Sequence, residues 1–152
     1  MNGRYLFLVL MMIVLDMSCS KKVEDCLNAP LDTYSLEELY ECENTKRQMD
    51  INLSESFTII TTQSRFSEMV TGTCKPEIDF EKYDLIIGKK GLTSGNVSID
   101  YDFRTDCEND RLLLKVTFNQ NITTEAPNLT YHVLVDKLNE NENVEVIVEV
   151  IN

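Results

Sequence analysis

Chemistry in this chain can come from few places: five cysteines, a single histidine, an aspartate-rich stretch and one glycine- and lysine-rich loop. His132 is the sole imidazole, and no Gly-x-Ser-x-Gly elbow accompanies it. General-base catalysis needs an oriented partner and a nucleophile within reach. Tyr131 and Val133 share one face of a strand, which places His132 on the other face beside Leu134, as a structural or surface histidine. Asp100, Asp102, Asp106, Glu108 and Asp110 surround a hairpin but lack the Asp-x-Asp-x-Asp-Gly spacing that converges oxygens on calcium. They read as solubilising surface charge, as do Glu140, Glu142 and Glu145. Gly88-Lys89-Lys90-Gly91-Leu92-Thr93-Ser94-Gly95 lacks the Lys-Ser/Thr step that opens a helix in a phosphate-binding loop. It reads as a solvated hairpin tip whose glycines supply positive φ, and Lys89, Lys90, Thr93 and Asn96 are its candidate partner contacts. No catalytic residue, metal set or cofactor site is expected.

The cysteines are Cys19, Cys26, Cys42, Cys74 and Cys107. With no Cys-x-x-Cys pair, zinc is disfavoured. Leaving Cys19 aside, four cysteines outside the cytoplasm imply two disulfides and three connectivities. Proximity along the chain favours Cys26–Cys42, bracketing a helix, and Cys74–Cys107, tying a loop to a hairpin turn.

These residues must be carried by mostly β-structure. Ser35-Leu36-Glu37-Glu38 opens a helix as a capping box, and Leu36, Leu39 and Tyr40 carry it towards Met49. A strand follows at 56–60. Phe66, Met69 and Val70 share a face of a helix over 62–70, with Gly72 placed to end it. Beyond Pro76 the chain reads as strands: an apolar run at 83–88, then alternation at 97–103, 112–118, 131–135 and 144–150. Such alternation buries one face of an antiparallel sheet. The expectation is an α+β fold: a curved, mainly antiparallel sheet or partial barrel with one short packing helix, preceded by an N-terminal helix.

Location is written at the other end. Arg4 precedes an apolar run from Tyr5 to Leu15, and Ser18-Cys19-Ser20-Lys21-Lys22 follows. A basic start, an apolar middle of about ten residues and a small residue before the cut form a secretory signal. Ser18 to Lys22 resembles the lipoprotein signals of Bacteroidota-type bacteria. The resemblance implies cleavage before Cys19, acylation of that cysteine and attachment to a bacterial envelope membrane, the outer membrane favoured. The organisation expected is signal peptide 1–18, tether 19–33 and one β-rich domain 34–152.

A second resemblance lies within the domain. Phe57-Thr58-Ile59-Ile60 with Phe66, Pro76-Glu77-Ile78-Asp79-Phe80, Gly91 to Ile99 and Thr130-Tyr131-His132-Val133-Leu134 follow the order of motifs in the C-terminal domain of PrcB-type protease-complex stabilisers. Ser94, Asn96 and Thr130 stand where that family has glycine, an aromatic residue and proline. The likeness spans roughly 56–138 and implies a surface lipoprotein that supports a partner protease without chemistry of its own.

The net charge of −12 argues against nucleic acid, because phosphate contacts need clustered Lys and Arg. The expected function is a membrane-anchored, non-catalytic protein-interaction module. Two rival expectations are a small-ligand or ion binder of the envelope and a secreted eukaryotic glycoprotein. The latter would carry glycans at Asn52, Asn96, Asn121 and Asn128, each an Asn-X-Ser/Thr site.

Overall fold

The computed structural model describes residues 28–53 and 56–152. The signal segment, Cys19 and Cys26 lie outside them.

Three short helices, α1 (Leu36–Tyr40), α2 (Thr45–Gln48) and α3 (Gln63–Met69), accompany eight strands. The strands are β1 (Met49–Ile51), β2 (Phe57–Ile60), β3 (Val70–Gly72), β4 (Tyr83–Gly91), β5 (Asn96–Asp106), β6 (Arg111–Gln120), β7 (Asn128–Asp136) and β8 (Val144–Ile151). They form a central sheet β2-β4-β7, an outer sheet β5-β6-β8 and a β1-β3 pair. The α+β expectation is met, and the sheets do not close into a barrel.

The central sheet is covered on both faces, so β4 and β7 are buried almost without interruption. Ile86, Tyr131, Val133 and Val135 face the outer sheet, where they meet Leu114, Val116 and Phe118. Leu85, Ile87 and Leu134 face the other way, onto Leu36, Met49, Ile51 and Phe66 of the helical layer. Two cores on one strand explain why β4 reads as a continuous apolar run while β6 alternates strictly. Asp84, only 2% exposed, accepts from Lys137 Nζ at 2.6 Å and from the Leu138 amide at 3.0 Å. These bonds satisfy a buried carboxylate that would otherwise be costly.

Four expectations are corrected. β6 and β8 pair in parallel, Leu112 opposite Val144 and Asn119 opposite Ile151. Alternation cannot report strand direction, and β7 lies in the other sheet between them. The first helix stops at Tyr40, because Glu41 and then Asn44 take left-handed backbone (φ 56° and 47°), and α2 is a separate turn. The capping box of Ser35 and Glu38 does form, with both bonds at 3.1 Å. Lys89 to Asn96 is not a hairpin tip: β4 stays paired with β7 as far as Gly91–Asn128, and the chain then crosses between sheets. Neither Gly91 nor Gly95 has positive φ there; Gly72 does, at 115°, within β3 rather than as a helix cap.

The disulfide pairing also differs. Cys42 is bonded to Cys74, which overturns both pairings favoured by proximity along the chain. The layer holding α1 folds back over the loop after β3, bringing residues 32 apart into contact. Cys107 is disulfide-bonded as well.

The described end of the expected tether is bonded to the sheet. Leu31 N–H donates to Phe103 O at 2.8 Å and Thr105 N–H to Ala29 O at 3.3 Å, making a bridge of Pro30 with Arg104. Tyr34 then exchanges both backbone bonds with Leu134 of β7, at 2.9 and 2.8 Å. This arm spans from the edge of one sheet to the edge of the other. No helix among the described residues is long and apolar enough to cross a membrane.

Candidate functional site

Where the arm leaves β7, α1 and α2 stand beside the first half of β5 and leave a cleft. Two adjoining hollows of about 290 and 410 Å3 share Ser35, Ile99, Tyr101 and His132 in their walls. β7 holds His132 towards the helices, as the alternation of its neighbours implies. The ring is 4% exposed.

Its contacts define what it does. The Leu36 amide, at the start of α1, donates to His132 Nε2 at 3.3 Å, and Nδ1 lies 3.5 Å from Thr45 Oγ1. Glu37 accepts from the Thr45 amide at 3.1 Å and, through a short bond, from its hydroxyl. With Nε2 accepting, a neutral ring has its N–H at Nδ1, facing the Thr45 oxygen, while the Thr45 hydroxyl donates to Glu37. This order is the reverse of nucleophilic activation, in which the hydroxyl proton would move to the imidazole. Thr45 stands in the wall of the smaller hollow and is itself only 2% exposed. The cluster is a clamp that ties α1 and α2 to β7.

Nε2 also lies 3.5 Å from Glu37 Oε2, so a ring protonated there donates to the carboxylate instead of accepting from Leu36. Burial works to raise the Glu37 carboxyl, but hydrogen bonds with His132 and Thr45, with Coulomb attraction to His132, outweigh it and hold the group at about 2. A carboxyl depressed from its ordinary 4.5 contributes stability that is complete above that value and is lost as pH falls to about 2. Unfolding free energy followed by circular dichroism is expected to fall across that window, and Glu37→Gln to flatten the fall. An unchanged slope in the variant would contradict the clamp.

Tyr101 completes the site from β5. Its hydroxyl accepts from the His132 main-chain N–H at 3.1 Å, occupying an edge donor of β7. Burial pushes this phenol well above the ordinary tyrosine range, so it stays protonated. The bonds of Leu31 with Phe103 O and of Thr105 with Ala29 O show that odd residues of β5 point their main-chain groups away from β6. By strand alternation Ile99 and Tyr101 do the same. Among the described residues no strand other than β6 pairs with β5 along this stretch, so this edge is open. Glu37, Glu38 and Asp100 line the cleft, together with Lys46; Lys46 is held by Asn96 Oδ1 at 3.2 Å and Val97 O at 3.4 Å. The arrangement offers main-chain donors and acceptors, an apolar side chain and a mostly acidic rim.

The candidate contacts read from sequence do not converge in this cleft. Lys89, its side chain 15% exposed, pairs with Asp50 at 2.6 Å, and Lys90 lies opposite Leu129 within the sheet. Thr93 sits on the Leu92 loop between sheets, half-buried Asn96 donates to Ser98 O and Asn119 O, and only Asn96 approaches the cleft, through Lys46. Asn52, Asn121 and Asn128 are exposed. Among the described residues no group of three or more His, Cys, Asp or Glu is arranged to hold a metal. The sequence showed which way His132 faces; nothing in it marked Glu37, Thr45 and Tyr101 as its partners.

No family model matches the chain, and no curated protein or solved structure matches it.

Proposed function

We propose that the chain is a membrane-anchored lipoprotein of a bacterial envelope that acts as a non-catalytic interaction module, holding an extended, basic segment of another envelope protein in the cleft beside β5. The carrying observation is the β5 edge at Ile99 and Tyr101, whose outward main-chain groups meet an acidic rim. Extended peptides bind open sheet edges by main-chain hydrogen bonds, with side-chain pockets adding selectivity. The commitment of His132 and Thr45 to the clamp supports a role without chemistry. The disulfide fits an oxidising compartment outside the cytoplasm, in keeping with export and acylation at Cys19. The PrcB-like motif order makes an envelope protease the first partner to test.

Tagged full-length chain, extracted from the envelope in mild detergent, is expected to bring down one protein in near-equal amount. Ile99→Arg, together with reversal of Glu38 and Asp100 to lysine, is expected to lose it. Cys19→Ser is expected to lose incorporation of a palmitate analogue and to release the chain from membranes. Retention of the same partner by the cleft variants would contradict the assignment of the site.

A further inference from the structure

The opposite edge of the outer sheet is open too, and its sequence is unusual for an edge. β8 pairs with β6 alone among the described residues. Leu112 N–H donates to Asn143 O, so odd residues of β8 face β6. Val144, Val146, Val148 and Val150 therefore point their main-chain N–H and C=O groups out of the sheet. Six of the eight residues are Val or Ile, with no proline, lysine, glycine or bulge. Ile147, Val150 and Ile151 are 38, 40 and 50% exposed.

Natural edge strands are normally blunted by such residues, by shortness or by a covering segment. Other edges here are short or covered over part of their length, although β5 stays open at Ile99 and Tyr101. Pro30 covers part of β5, Tyr34 and Tyr101 cover β7, and β2 is only four residues long. The two glutamates of β8 do not guard it either, because Arg111 holds Glu145 and Lys115 holds Glu149.

We propose that β8 is the contact through which two copies of this chain pair, antiparallel, joining their outer sheets into one of six strands. The strand is complementary to itself. With Val148 on the two-fold axis, Val146 of one copy lies opposite Val150 of the other, and Ile147 lies opposite Glu149. Glu145 then meets Ile151, so no like charges are directly opposed, an arrangement cross-strand pairs favour. Centring on Ile147 instead would set Glu145 against Glu149, which disfavours that register. One strand edge buries little area, at or below the roughly 1,200 Å2 lower bound of stable interfaces, so the pairing depends on concentration. It leaves the β5 cleft of each copy free.

Sedimentation equilibrium of the full-length chain in density-matched detergent, over a range of protein-to-detergent ratios, tests the pairing. The wild type is expected to approach twice the monomer mass as concentration rises. Ile147→Glu, opposite Glu149 of the second copy, is expected to raise the apparent dissociation constant at least about tenfold. Ile147→Lys, which gains that glutamate, is expected to retain or tighten the dimer. Circular dichroism of both variants checks that this exposed position leaves the fold intact. A wild type that stays monomeric throughout overturns the proposal. So does equal loss of association in both variants, which would mark a merely apolar contact.

Discussion

Cys42→Ser is expected to lower the free energy of unfolding by about 3.5 kcal/mol, the loop-entropy value for a crosslink closing a span of this length. The bond joins residues 32 apart, and Cys42 is 6% exposed. It fastens the short turns of α1 and α2 to the loop after β3. Helices of five and four residues have almost no stability of their own, so this layer depends on fastenings: the disulfide, the His132 clamp and the apolar contacts of Leu36. With an m-value of about 2 kcal/mol/M, the loss corresponds to a drop of nearly 2 M in the urea midpoint. Proteolytic mapping without reductant checks the pairing itself. Cys42 and Cys74 are expected in one crosslinked fragment, and recovery of Cys42 joined to Cys26 would contradict the fold of this layer.

Gly72→Ala is expected to cost a further large amount, about 2–5 kcal/mol, from two sources. Its φ of 115° lies where L side chains are strained, a penalty of about 1–3 kcal/mol. A Cβ there would also overlap the Gln48 carbonyl oxygen and lie 3.0 Å from Gln48 C and Met49 Cα. All three atoms are backbone, held by the pairing of Met49 with Gly72 and by Thr73 N–H donating to Gln48 O at 3.1 Å. Nothing there can rotate away. Gly95→Ala supplies the contrast. The atoms its Cβ would meet first are the Thr123 hydroxyl and the Asn121 side-chain oxygen, on an exposed turn, and φ is not positive. Chemical denaturation is expected to show a large loss for the first variant and under about 1 kcal/mol for the second.

The contrast between these glycines shows what the sequence could and could not announce. Gly72 resembles a helix stop by position, three residues after the end of α3, yet its role is set by Gln48, which packs against it from a distant part of the chain. Strands β5 to β8 were legible because burial on one face writes a period of two directly into residue type. The same periodicity is silent about direction and about sheet membership. Leu112, Leu114 and Val116 would alternate identically beside a parallel or an antiparallel neighbour, so the parallel β6–β8 pair left no mark. The capping box at Ser35 was legible because its bonds span three residues, whereas the helix break at Glu41 and Asn44 flanks Cys42, whose partner Cys74 lies 32 residues on. His132 illustrates the limit at the site: its strand neighbours fix its face, while the Leu36 amide that it accepts from is 96 residues away.

Capture of another protein at the β5 edge, as proposed, can be read out directly in cells. A photo-crosslinking amino acid at position 99, in the cleft, is compared with one at position 115, on the open outer face of β6. One discrete adduct with an envelope protein is expected from position 99 and none from position 115. No adduct from position 99 under any growth condition, or the same adducts from both positions, would contradict it.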